Sequence, residues 1–434
     1  MILVAPLPSA SAAGLDLSGL TGSTASAPST PVPVPPKLIP PRTTVDLGAA
    51  VWYACADDAY TGTVGLACQY RPAGPSLTKP YRDTWTRYFD RLTPENELKA
   101  LWTEPKQGQF DFSVADKIVG LARAAHKHVR GHALVYAAAN PGWIDKPLLI
   151  PWSRNTLLAA MQKHIRTEIS HFQSVASGVI DEWDVVNEPF TGSGTRDQNV
   201  YQRVIGNDWI EQAFRTAHDQ DPAAVLFLNE FNADTPGPRH DAVLALARDF
   251  VRRGVPLDGI GLEMHAGADG SYPAAKEIVR VMADFAELKL RVEVTELDAL
   301  TPVSETAAGA KQRETYDAVA DACRQSPNCT GVTVWGVADA YSWRTLPQHA
   351  TLFDQSALDN GLFTAKRVAG APSSTYSEVR CRLSHPWPTT ADPGTDACAP
   401  TPATPPAIAV TTGPASGNSI ESNPTPAGSD PPTG

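Results

Sequence analysis

The sequence predicts an α/β fold in which eight parallel strands alternate with helices and close into a (β/α)8 barrel. Three observations support this prediction. Short apolar, strand-like stretches recur between residues 45 and 385, amphipathic helical stretches separate them, and polar residues follow the strands. Eight strands is the number that closes such a barrel. An open doubly wound sheet is the alternative, but no glycine-rich phosphate loop follows the first strand.

The individual elements follow from apolar periodicity. The predicted strands are short runs rich in β-branched and aromatic residues, at 47–54, 89–96, 129–136, 182–188, 224–231, 259–265, 291–298 and 331–339. Between them, apolar residues at three- and four-residue steps predict helices, most clearly at 113–128, 155–173, 240–254 and 274–288. Strand and helix therefore alternate along the whole middle of the chain.

Both ends of the chain differ in composition from the middle. Residues 1–44 are rich in Ser, Thr, Pro and Ala, and they begin with a short apolar run that lacks basic residues before it. We expect a disordered leader there, or the remnant of an export signal. Residues 45–385 form the predicted barrel domain, and residues 386–434 have the composition of a linker or tail.

Overall composition excludes several classes of function. The 434-residue chain has a net charge of −11 and a pI of about 5.4, which argues against nucleic acid as a partner. No run of 18 apolar residues occurs, so we expect no membrane span. Neither a metal-ligand cluster nor a phosphate loop is evident, and we expect no metal and no organic cofactor.

Six cysteines fall into three groups of two that are close in sequence. None has the two-residue spacing of a zinc or redox motif. They are either buried free thiols or local disulfides, and disulfides would place the protein in an oxidising, extracellular compartment. The even number and the composition of the chain ends favour a secreted protein. The candidates are Cys55, Cys68, Cys323, Cys329, Cys381 and Cys398.

Two carboxylates at strand ends are candidates for catalysis. The stretch EWDVVNEPF places Glu188 at the end of the fourth predicted strand, and VEVTELDAL places Glu296 at the end of the seventh. Pro189 favours an extended conformation at Glu188. Either glutamate alone could simply form an ion pair. Together across a barrel mouth they suit glycoside hydrolysis, in which one carboxyl donates a proton and the other attacks the anomeric carbon.

Several motifs, in order, resemble those of a known family. RLTPENELK, VRGHALV, WDVVNE, TELD and VTVWGVADAYSWR are similar to stretches of glycoside hydrolase family 10, the family of retaining endo-β-1,4-xylanases. The resemblance covers about residues 45–365. It implies a (β/α)8 TIM barrel, in agreement with the predicted strands, and cleavage of xylan-type polysaccharide by double displacement.

The resemblance also implies roles for individual residues. Glu188 would be the acid/base and Glu296 the nucleophile, positioned by His265 and Asp298. The implied substrate-binding residues are Glu95, Asn96, Lys99, His132, Tyr136, Asn187, Trp335 and Trp343, with Asn187 on the 2-hydroxyl of the cleaved sugar. Barrel core is the alternative for Trp335, a satisfied buried imidazole for His132, and a structural ion pair for Lys99. The resemblance favours a Cys323–Cys329 disulfide, and we expect Cys55–Cys68 and Cys381–Cys398 as well.

Three sites depart from the family pattern. Tyr136-Ala137-Ala138-Ala139 stands where the family has Trp-His-x-Gln, Glu230 where it has Asp, and Glu263 where it has Gln. A protonated Glu263 would mimic the amide. These departures leave the substrate open. The alternatives to a monomeric, secreted xylanase are the same mechanism on another β-glycoside, including one with a non-sugar aglycone, or a barrel that binds sugar without cleaving it.

Overall fold

Eight parallel strands close into a barrel in the computed structural model of this chain. The structure describes residues 33–39, 44–56, 77–146, 151–267, 271–301, 309–344, 349–387 and 397–398, all within the compact unit Met1–Cys398. The strands are β1 (Asp46–Val51), β2 (Arg91–Pro94), β3 (His128–Tyr136), β4 (Ile180–Asn187), β5 (Val225–Glu230), β6 (Gly259–Leu262), β7 (His265–Ala266), β8 (Arg291–Ala299), β9 (Cys329–Val334), β10 (Phe353–Asp359) and β11 (Leu362–Ala365).

Strand pairing confirms the predicted barrel. Strands β1 to β6 pair in chain order, β6 pairs with β8, β8 with β9, and β9 returns to β1, so the sheet has no free edge and the doubly wound alternative is excluded. The sixth predicted strand is interrupted: Met264 has a φ of 62°, and the chain resumes as β7, which pairs with β8 at the mouth. Strands β10 and β11 form a separate antiparallel hairpin.

Helices surround the barrel and follow the predicted periodicity. None of the helices among the described residues is long and apolar enough to cross a membrane. They are α1 (Tyr53–Ala56), α2 (Thr78–Tyr88), α3 (Ala100–Thr103), α4 (Ser113–Ala124), α5 (Gly142–Asp145), α6 (Arg154–Val175), α7 (Val200–Val204), α8 (Trp209–Gln220), α9 (Pro238–Arg253), α10 (Ala275–Ala286), α11 (Ala310–Gln325) and α12 (Thr375–Ser384).

Helix α10 shows how the apolar pattern becomes packing. Ile278, Val281, Met282 and Phe285 are spaced three and four residues apart, and all four are fully buried against the barrel. Burying one such side chain contributes about 1.5–3 kcal/mol. This stripe is the face of α10 that packs inward, while Asp284 of the same helix pairs with His240 of α9 at 3.0 Å.

The barrel interior contains a charged cluster below the mouth. Arg130 of β3 is fully buried, and its guanidinium donates to Asp184 at 3.0 Å and to Glu293 at 2.9 Å. A buried charge requires such partners because its hydration is lost. The cluster joins β3, β4 and β8 and gives the residues above it a rigid base.

Part of the predicted leader packs on the opposite end of the barrel. Residues 33–39 are among those the structure describes, and Lys37 donates to Asp258 from its backbone nitrogen at 2.7 Å and from Nζ at 2.8 Å. Asp258 immediately precedes β6 and also accepts from the Leu226 backbone at 3.0 Å. Through Lys37 this segment therefore contacts the barrel, while the disordered leader or signal remnant expected for residues 1–44 stays a prediction.

Two of the expected disulfides are confirmed. Cys323–Cys329 joins the end of α11 to the start of β9, and Cys381–Cys398 joins α12 to the segment beyond it. Cys68 lies outside the described residues, so the expected Cys55–Cys68 pair stays a prediction. The boundaries proposed at residues 44 and 385 also stay predictions, although the strands and helices run from Asp46 to Ser384.

Candidate active site

The carboxyl ends of the barrel strands bring the predicted site residues to one face. In the strand register, Tyr136 of β3 lies opposite Asn187 of β4, and Asn187 opposite Asn229 of β5. Across the mouth, His265 of β7 lies opposite Asp298 of β8. Residues far apart in the chain therefore converge because parallel strands end at the same rim.

Glu296 lies on β8 and is held in its ionised form. It is 5% exposed, and its Oε1 accepts from Asn229 Nδ2 at 2.9 Å while its Oε2 lies 3.3 Å from His265 Nε2. Burial raises the pKa of Glu296, but the hydrogen bond from His265 and nearby positive charge, including that of Lys99, outweigh burial. The net pKa lies below its ordinary value, so this carboxylate is available as a nucleophile.

His265 connects Glu296 to a second carboxylate. Its Nδ1 is 3.0 Å from Asp298 Oδ2, and burial, which lowers its pKa, is outweighed first by the charge of Asp298, so that the pKa rises to about 10. Asp298 also accepts from Trp343 Nε1 at 2.8 Å and from Arg344 Nε at 3.3 Å. The sequence predicted that His265 and Asp298 act together. It did not predict Arg344, whose guanidinium is a second positive charge beside Asp298.

Glu188 immediately follows β4, and its pKa is shifted in the opposite direction to that of Glu296. Tyr136 donates its hydroxyl proton to Glu188 Oε1 at 2.9 Å, and Asn187 Nδ2 donates to the same oxygen at 3.1 Å. Burial raises the pKa of Glu188, the charge of Glu296 raises it further, and these effects exceed the lowering by Tyr136. Glu188 therefore keeps its proton to a higher pH than Glu296 does.

The backbone at Glu188 differs from the sequence expectation. Its φ is 52°, in the left-handed region, whereas the following proline predicted an extended conformation. The strand ends at Asn187, and Glu188 N still donates to Asn229 O at 3.0 Å. The local preference set by Pro189 is overridden because this turn brings the carboxyl beneath the Tyr136 hydroxyl.

Asn229 is a central residue that the sequence analysis did not single out. Its Nδ2 lies 2.8 Å from Asn187 Oδ1, 2.9 Å from Glu296 Oε1 and 3.1 Å from Glu263 Oε1. Thr295 donates to its Oδ1 at 2.7 Å, which fixes the orientation of the amide. Two features of the sequence could have indicated Asn229: it lies near the end of the fifth predicted strand, and it directly precedes Glu230, which departs from the family pattern.

Glu263 and Glu230 are buried acids at two of the positions that depart from the family pattern. Burial raises the pKa of Glu263 well above its ordinary value, and the charges of Glu296 and Glu188 add to this, in line with the expected protonated form. Burial likewise raises the pKa of Glu230 to about 8. Glu230 accepts from the Phe190 backbone at 3.1 Å, so it anchors the loop that follows Glu188.

A polar group lies beside the two glutamates, at the residues expected to bind sugar. Lys99 donates to Asn96 Oδ1 at 3.2 Å and lies 5.6 Å from the centre of the Tyr136 ring. His132 is 2% exposed; its Nδ1 is 3.0 Å from Asp184, and its Nε2 points to Glu296 at 3.9 Å. Burial raises the pKa of Glu95 to about 8. The roles of these residues stay predictions.

The two predicted tryptophans differ in exposure. Trp343 is 48% exposed, and its ring lies 5.0 Å from that of His265, so it offers an apolar face beside His265. Trp335 is 6% exposed and meets the His132 ring edge-on at 5.4 Å. Trp335 is therefore nearly buried, and its role as a sugar platform or as barrel core stays a prediction.

Residues 137–139 form a single 3-10 turn directly after Tyr136. Ala137 and Ala139 are half-buried and Ala138 is exposed. Their methyl groups can neither donate nor accept hydrogen bonds. This part of the rim is therefore smaller and less polar than the family pattern leads one to expect.

Comparison with known proteins agrees with this site. Residues 55–367 match the model of glycosyl hydrolase family 10. Endo-1,4-beta-xylanase 5 of Pyricularia oryzae is 35% identical over 302 residues, covering 67% of this chain and 72% of the relative. Endo-1,4-beta-xylanase B of Thermotoga neapolitana is 33% identical over 266 residues, covering 61% and 74%.

Solved structures give the same result. Xylanase 10B of Thermotoga maritima superposes with a TM-score of 0.65 at 28% identity, covering 78% of this chain and 95% of that one. An intracellular xylanase of Thermoanaerobacterium saccharolyticum, in complex with xylotriose, has a TM-score of 0.63 at 30% identity, covering 72% and 92%. The resemblance seen in the sequence is confirmed: this chain belongs to glycoside hydrolase family 10.

Proposed function

We propose that this protein is a retaining endo-β-1,4-xylanase in which Glu296 is the nucleophile and Glu188 the acid/base. One observation carries the proposal: the pKa of Glu188 is raised, partly by the charge of Glu296, while that of Glu296 is lowered. Two carboxyl groups whose pKa values are shifted in opposite directions provide the acid and the anion that glycoside hydrolysis requires.

The first step breaks the glycosidic bond. Glu188 Oε1 accepts two hydrogen bonds, from Tyr136 and Asn187, so its transferable proton is carried by Oε2. That proton goes to the glycosidic oxygen as Glu296 attacks the anomeric carbon, and the aglycone leaves. Asn187 Nδ2 has a second hydrogen, which is available for the 2-hydroxyl of the sugar in the role that the family resemblance implies.

The second step releases the sugar. Once Glu296 is esterified it carries no charge, so the pKa of Glu188 falls and its carboxylate can take a proton from water. Water then attacks the ester from the face opposite Glu296, which restores the original configuration. His265 transfers no proton in either step. Supported by Asp298, it holds the Glu296 oxygen in place and stabilises Glu296 as its charge changes.

Xylan is the substrate best supported by the comparisons. The relatives are named endo-1,4-beta-xylanases, and one similar structure holds xylotriose. The neighbours of the glutamates suit a sugar, because Lys99 and Asn96 offer polar atoms while Trp343 offers an apolar face for C–H groups. As part of this proposal, the protein acts as a secreted monomer, a compartment in which disulfides such as Cys381–Cys398 persist.

A second candidate function keeps the mechanism but changes the substrate. The observation that favours it is the turn of three alanines beside Tyr136, which removes hydrogen-bonding side chains and opens space at the rim. A decorated xylan, another β-glycoside or one with a non-sugar aglycone would fit there better than the family pattern suggests. A barrel that binds sugar without cleaving it is disfavoured by the opposed pKa shifts of Glu188 and Glu296.

Azide rescue tests the assignment of the acid/base. Glu188→Ala is expected to lose most activity on xylan, but much less on aryl β-xylosides whose leaving groups need no proton. Added azide should then raise the rate and yield a β-xylosyl azide. Glu314→Ala, an exposed glutamate in α11, is the matched control and should behave as wild type. A Glu188→Ala enzyme that keeps nearly full activity on xylan would overturn the assignment.

A further inference from the structure

Three side chains at the mouth point their ligating atoms at one another. His265 Nε2 lies 3.3 Å from Glu296 Oε2 and 3.5 Å from Glu263 Oε2. One ligating atom from each residue can be chosen so that all three lie within 4.8 Å of one another. We refer to Glu263, His265 and Glu296 as the Glu-His-Glu cluster. Other clusters among the described residues are less suitable: Cys381, His385 and Cys398 include a disulfide.

The spacing of the cluster also fits a tetrahedral metal site, in which an ion would take the place of the proton between His265 and Glu296. Charge-assisted N–H···O contacts are about 2.7–2.9 Å long, and both Nε2 contacts of the cluster are longer. Zinc binds imidazole nitrogen and carboxylate oxygen at about 2.0–2.2 Å, so the ligand atoms of a tetrahedral site stand about 3.3–3.6 Å apart. The distances from His265 Nε2 to Glu296 Oε2 and to Glu263 Oε2 both fall in that interval.

The histidine is already oriented as a metal ligand. Its Nδ1 is 3.0 Å from Asp298 Oδ2, and Asp298 is fixed by Trp343 and Arg344. A carboxylate behind the imidazole is the usual support of metal-binding histidine, because it fixes the ring and raises the basicity of the opposite nitrogen. Nε2 therefore faces the two glutamates with its direction set.

The cluster is also accessible from one side only. The side chains of Glu263 and Glu296 are 2% and 7% exposed, whereas that of His265 is 15% exposed. An ion would enter past His265, and its fourth coordination position would open toward the sugar cleft. The set of two carboxylates and one imidazole suits Zn²⁺ and similar divalent transition metals, whereas Mg²⁺ prefers six oxygen ligands.

We infer that Glu263, His265 and Glu296 bind one divalent transition-metal ion of the Zn²⁺ class, and that this ion blocks the enzyme reversibly. The protons on Glu263 and on His265 Nε2 leave to solvent as the ion binds. The ion would occupy an oxygen of Glu296 that must be free for attack. It acts as an inhibitor, not as a cofactor. The binding half of the inference rests on geometry alone, and the inhibition half rests on the proposed function.

Calorimetric titration of the full chain with ZnCl₂, after chelator treatment, tests the binding. Wild type should show one site that weakens at least about tenfold in Glu263→Gln, since even a supporting residue of a metal site is worth roughly 10- to 100-fold in affinity. Glu314→Gln, the same chemical change at an exposed position, should match wild type. MgCl₂ should show no such site. Equal zinc affinity in wild type and Glu263→Gln would overturn the inference.

Cobalt provides a test that needs no variant. Co²⁺ added to wild type should give the intense visible absorption of a tetrahedral site, and Zn²⁺ should displace it. A spectrum of hydrated Co²⁺ alone would overturn the inference even if Glu263→Gln failed to fold.

Activity measurements separate this inference from the proposed function. Zn²⁺ should inhibit hydrolysis of an aryl β-xyloside by wild type, excess chelator should restore it, and Glu263→Gln should need at least about tenfold more Zn²⁺ for the same inhibition. Zinc binding without any glycosidase activity would contradict the proposed function and leave the site intact. Full activity with no zinc binding would contradict only the site.

Discussion

The Tyr136 hydroxyl should set the pH range of the enzyme, because it donates to the catalytic acid. Its bond to Glu188 Oε1, 2.9 Å long, stabilises the ionised carboxylate and so lowers the pKa of Glu188 against the effects of burial and Glu296. Tyr136→Phe removes this donor and leaves the ring. The pKa of Glu188, already raised, should therefore rise further.

The size of this effect follows from the contact. A hydrogen bond to a charged group contributes about 1.5–3 kcal/mol, and one pKa unit corresponds to about 1.4 kcal/mol. Because Asn187 still donates to the same oxygen at 3.1 Å, we take the lower end of that range. The expected shift is an increase of about one unit in the pKa of Glu188.

The direction of the shift in the pKa of Glu188 determines which limb of the pH profile moves. Glu188 must be protonated for the first step, and that step is lost as the pH rises through its pKa. The alkaline limb of kcat/KM should therefore move about one pH unit higher in Tyr136→Phe. The second step needs Glu188 as a base, so near-neutral kcat should fall wherever hydrolysis of the glycosyl ester limits turnover.

The assay is kcat/KM against pH with an aryl β-xyloside and with a xylo-oligosaccharide. Tyr376→Phe is the matched control, since it removes a phenol-to-carbonyl bond of 2.9 Å to Tyr88, a residue of α2. Its profile should equal that of wild type. An alkaline limb that stays in place or moves lower in Tyr136→Phe would refute the reasoning about Glu188.

Three further predictions concern the rim, the amino-terminal segment and a disulfide. Ala139→Gln should raise kcat/KM on linear xylo-oligosaccharides by roughly two- to tenfold, through one restored hydrogen bond of about 0.5–1.5 kcal/mol. No gain would refute our account of the alanine turn. A chain that begins at Arg42 should lose about 1–3 kcal/mol of unfolding free energy in urea, since Asp258 loses its Lys37 partner; unchanged stability would show that the segment is dispensable. Replacing both Cys323 and Cys329 by Ser should cost about 2 kcal/mol in the chain-entropy model, because the closed loop is short; an unchanged urea midpoint would contradict this.

The fold was largely predictable because its signals are local. Each barrel strand is a short apolar run bounded by polar residues, and β3, β4 and β8 lie within two residues of the predicted ranges. The break at Met264 was not predictable, because it depends on how β7 turns to meet Asp298 rather than on the local sequence.

The positions of the site residues were predictable, but their contacts were not. Strand ends placed Glu188 and Glu296 at the same rim. Asn229 gained its importance only when β4, β5 and β8 were brought side by side, since it lies 42 residues from Asn187 and 67 from Glu296. The bond from Tyr136 to Glu188 likewise depends on side-chain directions across two strands.

Departures from the family pattern were visible in the sequence, but their consequences required the structure. The sequence showed Glu230 where the family has the shorter side chain of Asp. Only the structure shows that Glu230 accepts from the backbone of Phe190, in the loop after Glu188, and lies 3.5 Å from Arg239 of α9. Similarly, the part of the leader that packs on Asp258 carries no periodic signal, because it is an extended segment without strand partners.

The most direct test of the central claim is to trap the covalent intermediate. A 2-deoxy-2-fluoro β-xylobioside with a good leaving group should form the ester quickly and hydrolyse it slowly, because fluorine destabilises the positive charge that develops in both steps. Mass spectrometry of the intact protein, followed by peptide mapping, should show one sugar per chain, attached to Glu296. A label on any other carboxylate, or hydrolysis of the substrate without a covalent adduct, would contradict the account.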